Sequence, residues 1–227
     1  MNRPVRIVVV DSGVHAAHPH VNGVSDGIGV DAAGGFHPDF VDRLGHGTAV
    51  TAVIREKAPT AELLIAKVFD RELAATGAAL VAACEWAIAQ RADIVSLSLG
   101  TTNVQHKHAL AAVIADLRAS GAVMVAAGLQ AGVAWLPGTL PGAWSVTLDW
   151  ALPRDECRAV VGPNREVAFT ASGFPRPIPG VPPENNLKGL SFAVANVTGL
   201  VARLMAQQDR TDAVDLLTRA VSDGWVG

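Results

Sequence analysis

The fold is decided by one stretch near the start of the chain, Val5-Arg6-Ile7-Val8-Val9-Val10 followed by Asp11-Ser12-Gly13. An apolar run rich in β-branched residues indicates a strand buried on both faces, and the glycine turn ends it. Three more runs of this kind follow, at 63–69, 94–99 and 122–127. We therefore predict four strands of a mostly parallel sheet.

Helical segments are predicted between and after these strands. Apolar residues recur three and four apart at 77–91 and 109–120, as expected for crossover helices. Two further helices, 46–55 and 191–207, each open at small or hydroxyl-bearing residues. Strands alternating with helices indicate an α/β fold with a mostly parallel central sheet flanked by helices.

The stretch 135–190 has a different composition, with nine prolines. Proline removes a backbone donor and fixes φ, so this density excludes a long helix. We expect loops with short strands here, forming mobile surface structure.

Composition excludes several classes of protein. The 227 residues are 50% hydrophobic and 17% charged with a net charge of −3, which is typical of one soluble globular domain. A near-neutral charge without a long basic run predicts no nucleic-acid or membrane partner. Two cysteines exclude a disulfide scaffold, and we expect Cys84 in the core and Cys157 as a loop thiol. The first apolar run is too short for a signal peptide and no segment reaches bilayer length, so a cytoplasmic location is expected.

Three residues could form an acid, base and nucleophile set. Asp11 ends the first strand, His46 lies within Gly45-His46-Gly47-Thr48, and Ser191 lies within Gly189-Leu190-Ser191-Phe192-Ala193. A serine hydroxyl needs an imidazole to take its proton, and the imidazole needs a carboxylate to fix its tautomer. Taken singly, they could instead be a turn aspartate, a histidine at a helix start and an N-cap serine.

The order of these motifs resembles that of the subtilisin-like serine peptidases, the subtilase family. The stretch Ile7-Val8-Val9-Val10-Asp11-Ser12-Gly13-Val14, with His18-Pro19, is similar to the aspartate motif of that family. Gly45-His46-Gly47-Thr48-Ala49-Val50 is similar to its histidine motif. The resemblance runs from about residue 5 to residue 204 and implies a three-layer fold.

The resemblance also implies an activity, a serine endopeptidase in which Asp11 orients His46 and His46 activates Ser191. The substrate would be an extended peptide or protein, and limited processing of a precursor is expected. The substrate-binding residues would form two facing segments: Ser98, Leu99 and Gly100, and Ala126, Ala127 and Gly128. The small residues Ala126, Ala127 and Gly128 leave room for a sizeable substrate side chain.

The sequence departs from the family pattern where transition-state charge is stabilised. After Ala126-Ala127-Gly128 the family usually has an asparagine whose amide donates to the oxyanion, and here the residue is Leu129. A substitute amide would have to come from another residue, and the adjacent Gln130 is the first candidate. The backbone N–H of Ser191 would be the remaining donor in the oxyanion region. The other amides considered are Asn164, Asn185 and Asn186.

Two further departures support a second hypothesis. Leu190 and Val194-Ala195-Asn196 replace the residues that usually flank the nucleophile. The alternative is therefore a catalytically silent domain that binds an extended peptide or complements a partner subunit.

Metal and cofactor sites are not expected. His15, His18 and His20 share one loop, but no second ligand cluster of fixed spacing accompanies them. Since the chain begins at the first core strand, we expect a single domain over 1–227 without a pro-domain.

Overall fold

The computed structural model describes residues 3–207, 212–222 and 225. Its central strand is formed by the apolar run near the start of the chain, Arg6–Asp11. Side chains alternate across it, with Ile7 and Val9 in one apolar core and Val8 and Val10 in a second core on the opposite face. Because both faces are buried, the strand has no solvent-exposed face that would require polar residues, which explains its continuous apolar run.

Within the described residues, nine strands form the main sheet and a two-stranded hairpin lies beside it. In chain order the strands are β1 Arg6–Asp11, β2 Asp26–Val30, β3 Phe36–His37, β4 Glu62–Lys67, β5 Ile94–Leu97, β6 Val123–Ala127, β7 Leu129–Gln130, β8 Val133–Ala134, β9 Ala143–Leu148, β10 Cys157–Val161 and β11 Val167–Ala171. The main sheet has the order β10-β11-β9-β6-β5-β1-β4-β2-β3. Its pairs are parallel except for β10 with β11 and β2 with β3.

The helices form a layer on each face of the sheet. They are α1 His46–Lys57, α2 Gly77–Ala89, α3 Lys107–Ala119, α4 Leu190–Ala206 and α5 Ala213–Ser222. Helices α1 and α4 pack together over one face, while α2 and α3 pack together over the other. The predicted α/β class, the four predicted strands and the four predicted helices are confirmed, with ends that differ by a few residues.

The short strands predicted within 135–190 are present, but the prediction that this stretch forms mobile surface structure was wrong. Three strands of the main sheet, β9, β10 and β11, lie inside this stretch. Trp144 and Phe169 are buried there, with ring centroids 5.7 Å apart. All nine prolines lie outside these three strands, so they exclude a long helix without preventing a core.

Cys157 illustrates the same correction, since it lies in β10 and is fully buried rather than in a loop. Cys84 is buried in α2, as predicted. Burial raises the pKa of both thiols to about 12, so neither is a ready nucleophile.

Candidate active site

The candidate residues meet at the edge of the sheet where the parallel strands end. Asp11 is the last residue of β1, which lies between β4 and β5 in the sheet. Ser98 follows the end of β5, and Gly128 follows the end of β6. Because carboxyl ends of parallel strands share one edge, these loops are brought together there.

His46 is held on Asp11 by a short hydrogen bond. The imidazole Nδ1 lies 2.7 Å from Asp11 Oδ1, and the Ser12 backbone N–H donates to the same oxygen at 2.7 Å. Asp11 is fully buried and His46 is partly buried. Since a carboxylate only accepts, Nδ1 carries the proton and Nε2 is left with a free lone pair.

Two glycines let α1 begin at this point. Gly45 has φ of 79°, a left-handed conformation that glycine adopts without strain. A Cβ on Gly47 would collide with the carbonyl oxygen of Gly13 in the aspartate loop. The histidine motif therefore needs both glycines to bring His46 next to Asp11.

The surroundings of His46 favour its protonated form. Burial lowers its pKa, but the hydrogen bond and charge of Asp11, together with the charge of Asp42, outweigh this and raise the pKa overall. The imidazole can thus accept a proton and hold it as an imidazolium paired with Asp11.

Ser191 reaches the same place from the other end of the chain. It is the second residue of α4, and the ring of the next residue, Phe192, lies 5.8 Å from the imidazole, centroid to centroid. The Ser191 hydroxyl donates to the Ser98 carbonyl oxygen at 2.9 Å. It must leave this acceptor before it can donate to Nε2.

The two predicted substrate-binding segments are neighbours. Leu97 and Ala126 pair in the register of β5 with β6, so the residues that follow them run side by side. The Gly128 N–H donates to the Val146 carbonyl at 2.8 Å and ties its segment to β9. Of the predicted residues, Ser98, Ala126, Ala127 and Gly128 are buried, while Leu99 and Gly100 are partly buried.

Trp135 narrows the space between these segments, so the expectation of room for a sizeable substrate side chain was wrong. Its backbone N–H donates to the Gly128 carbonyl at 3.2 Å. On the other side, a Cβ added to Gly100 would lie 2.9 Å from the Trp135 Cβ. Nothing in its local sequence marks Trp135, because only the folded chain brings it between Gly100 and Gly128.

The oxyanion region lacks an asparagine at Leu129, which is 53% exposed in β7. The neighbouring Gln130 accepts a 2.8 Å hydrogen bond from the Leu148 N–H through its side-chain oxygen. This bond anchors its side chain at the end of β9, so Gln130 stays a candidate donor by position.

The other candidate amides are less suited. Asn164 lies in the turn before β11, at the opposite edge of the sheet, and its amide donates to Glu166 at 2.9 Å. Asn186 donates to the Arg176 carbonyl at 3.1 Å. Asn185 ends a short 3₁₀ turn, Pro183–Asn185. Asn164 is therefore not a candidate oxyanion donor, because strand direction places it at the amino ends of β9 and β11.

No metal cluster accompanies this site in the part of the chain that the structure describes. Groups of three or more histidine, cysteine, aspartate or glutamate side chains that could hold a metal ion do not occur there. The rings of His18 and His20 lie 5.1 Å apart, edge to face, in the loop that follows β1. None of the described helices is long and apolar enough to cross a membrane.

The fold and the site together define a class: α/β proteins that hold an aspartate, a histidine and a serine at the carboxyl edge of a parallel sheet. The model of the Subtilase family matches residues 2–132, more than half of the chain. The chain therefore belongs to the subtilase family, the subtilisin-like serine peptidases, as the motif resemblance predicted.

Individual relatives agree with this assignment. Subtilisin E of Bacillus subtilis (strain 168) is 26% identical over 213 residues, which cover 86% of this chain and 52% of that protein. The chain spans about half the length of the first curated relatives it matches. The subtilisin-like protease het-Q2 of Podospora anserina is 43% identical over 76 residues, or 31% of this chain and 21% of that protein.

Two solved structures share the fold. The prenylagaramide maturation protease PagA matches with a TM-score of 0.70 at 23% identity, covering 97% of this chain and 83% of that chain. The nisin leader peptidase NisP of Lactococcus lactis matches with a TM-score of 0.74 at 16% identity, covering 96% of this chain and 82% of that one. At these identities the similarity establishes the three-layer architecture.

Proposed function

We propose that this chain is a serine peptidase that cleaves peptide bonds through an acyl-enzyme, with Asp11, His46 and Ser191 as its catalytic triad. The observation that carries the proposal is the 2.7 Å contact between the buried carboxylate and the imidazole. The start of α4 beside that imidazole supplies the nucleophile. Membership of the subtilase family supports the same chemistry.

In the proposed reaction each of these groups has a defined role. His46 Nε2 takes the hydroxyl proton of Ser191 as Oγ attacks the peptide carbonyl carbon. The imidazolium, stabilised by Asp11, then gives that proton to the leaving amine nitrogen as the C–N bond breaks. Water, activated by the same imidazole, hydrolyses the acyl-enzyme and regenerates Ser191.

The negative oxygen of the tetrahedral intermediate needs hydrogen-bond donors. Ser191 lies in the first turn of α4, where backbone N–H groups have no partner inside the helix, so its N–H supplies one. The Leu129 side chain cannot donate. A second donor would come from Gln130, whose side chain is anchored next to this position.

The substrate would bind as an extended strand along Ser98, Leu99 and Gly100. Trp135 limits the space between this segment and Gly128, so a small residue is expected before the scissile bond. The names of two structural neighbours, a maturation protease and a leader peptidase, support limited cleavage of a precursor. Rapid, indiscriminate digestion of casein would contradict limited processing.

A second candidate function is a catalytically silent domain that binds an extended peptide or complements a partner subunit. The observation in its favour is the exposed Leu129 in place of a side-chain donor. A silent domain that binds a peptide would use the same substrate strand, so it differs from the peptidase in whether Ser191 reacts.

Labelling with a fluorophosphonate separates the two functions. We expect the wild-type protein to be labelled and Ser191→Ala to remain unlabelled. Ser120→Ala is the matched control, since the Ser120 hydroxyl donates to the Leu117 carbonyl at the end of α3, and this variant should label as the wild type does. Labelling of Ser191→Ala would contradict the assignment of the nucleophile. An unlabelled wild type would favour the silent domain.

A further inference from the structure

A buried carboxylate outside the triad joins the two loops that carry Asp11 and His46. Asp42 is 2% exposed, although it lies in the irregular segment before α1. A charged group this deeply buried is costly unless hydrogen bonds compensate it. The role of Asp42 therefore depends on what its two oxygens bind.

Five donors converge on these oxygens. The hydroxyl of Ser12 donates to Oδ1 at 2.8 Å, and the N–H groups of Leu44 and Gly45 donate to it at 2.9 Å each. Oδ2 accepts from the Thr48 N–H at 2.8 Å and from the Thr48 hydroxyl at 2.6 Å. These bonds compensate the burial of the charge.

The bonds connect Asp42 to residues on both sides of His46. Gly45 precedes the histidine and Thr48 lies two residues after it in α1. Gly47 is held indirectly, because its N–H donates at 2.9 Å to the Ser12 hydroxyl that Asp42 binds. Ser12 in turn follows Asp11 in the aspartate loop. One carboxylate thus fixes the backbone around the histidine relative to the backbone of its partner.

We propose that Asp42 is a positioning residue for His46, holding the start of α1 in the arrangement that keeps the imidazole on Asp11. This rests on the peptidase function proposed above. Displacements of about 1 Å in a catalytic group cost on the order of a hundredfold in rate. Because the Asp42 hydrogen bonds fix the backbone on both sides of His46, their loss is expected to lower kcat and to leave substrate binding unchanged.

The negative charge of Asp42 also acts on the pKa of His46, in the same direction as the charge of Asp11. Both carboxylates raise the pKa of His46 against the lowering effect of burial. Two cations near this region form ion pairs with other carboxylates. Lys67, the register partner of Asp11, binds Asp70 at 2.8 Å. Arg43 binds Asp39 at 2.8 Å and Asp70 at 3.0 Å. Asp11 and Asp42 are therefore the charged groups that act on the imidazole.

Asp42→Asn is the direct test, because an amide has one oxygen and cannot accept from all five donors. Asp31→Asn is the matched control, since Asp31 caps an exposed turn by accepting from the N–H groups of Ala33 and Gly35, at 2.8 Å each. Titration of the His46 ring by NMR, in a Ser191→Ala background, reports on the imidazole without requiring activity. Peptide hydrolysis in the Ser191 background gives kcat and KM separately.

We expect Asp42→Asn to lower kcat about tenfold or more with KM within about twofold. The titration midpoint of His46 should move to lower pH, while Asp31→Asn leaves both quantities at their wild-type values. A lowered kcat without a shifted midpoint would indicate a merely structural role and overturn the proposal, as would an unchanged kcat. If the wild type proves inactive, the peptidase function fails, and the titration midpoint alone supports or overturns the role of Asp42.

A second variant decides the matter if Asp42→Asn does not fold. Ser12→Ala removes the hydroxyl that links Asp42 to Gly47 and leaves the other four bonds to the carboxylate. Its kcat should fall severalfold at an unchanged KM. A wild-type kcat in a folded Ser12→Ala protein would overturn the proposal.

Discussion

Asp11→Asn is the substitution that tests the catalytic arrangement most sharply, because it keeps the shape of the side chain and removes its charge. In the native protein one oxygen, Oδ1, accepts from both the Ser12 N–H and His46 Nδ1, at 2.7 Å each. The other oxygen, Oδ2, is buried and accepts from none of the described groups. Asparagine can occupy this place in two orientations, and each has a cost.

The two orientations set the size of the effect. If the amide oxygen keeps the Oδ1 position, His46 retains its tautomer but loses a charged acceptor, worth about 1.5–3 kcal/mol, or roughly 10- to 100-fold in rate. If the amide is reversed, its NH₂ faces Nδ1 and the imidazole proton moves to Nε2, which can no longer accept from Ser191. The wrong tautomer costs about 10⁴ in a comparable triad. We therefore expect kcat to fall between about 10 and 10⁴-fold.

The pH dependence has a defined sign. Native activity should decrease as the pH falls through the raised pKa of His46, because the protonated imidazole cannot act as a base. In Asp11→Asn burial still lowers that pKa and only the charge of Asp42 opposes it, so the acidic limb should move to lower pH. Peptide hydrolysis and the rate of fluorophosphonate labelling, each measured from acid to neutral pH, report both effects.

Asp26→Asn is the control for this substitution. Asp26 Oδ1 accepts from the N–H of the next residue, Gly27, at 2.8 Å, as Asp11 does from Ser12, but no histidine among the described residues binds it. It should keep the wild-type rate and pH profile. An Asp11→Asn protein with at least a third of the wild-type kcat and an unmoved acidic limb would refute the assignment of Asp11.

Three other substitutions address the core, the oxyanion region and the substrate space. Phe169→Ala should lower the free energy of unfolding, measured in urea, by about 3–5 kcal/mol. Val160 lies on the adjacent strand and is 65% exposed, so Val160→Ala should lower it by less than about 1 kcal/mol. Equal losses would contradict the buried position of β11. Leu129→Asn should raise kcat, by up to about 10²–10³-fold if an oxyanion donor is simply missing, and an unchanged or lower kcat would indicate that Gln130 or another group already donates. Trp135→Ala should shift preference in a peptide library toward larger residues before the scissile bond, and an unchanged preference would contradict its limiting role.

The sequence was most informative where each residue has one physical reason for its place. The run that forms β1 is apolar throughout because both faces of the central strand are covered. Gly45 and Gly47 flank His46 because one needs a left-handed backbone and the other has no room for a Cβ. Such local requirements can be recognised without knowing the fold.

The strands β9 and β11 show the opposite case. They are short and lie between prolines, so their composition suggests loops. Burial of Trp144 and Phe169 depends on the pairing of β9 with β6 and of β11 with β9, and on the cover that α4 provides. Neither contact is local, and strand formation in such segments depends on the tertiary neighbours more than on the residues themselves.

By itself, then, the sequence determined the α/β class and the central strands and predicted the three residues of the candidate triad, because periodicity and glycine geometry are properties of short segments. Only the tertiary structure decided that Phe192 lies beside His46, that Asp42 joins the two loops, that Trp135 narrows the substrate space and that Asn164 is at the wrong edge. These are relations between segments far apart in the chain. Strand order and direction create them, and no short stretch of residues contains that information.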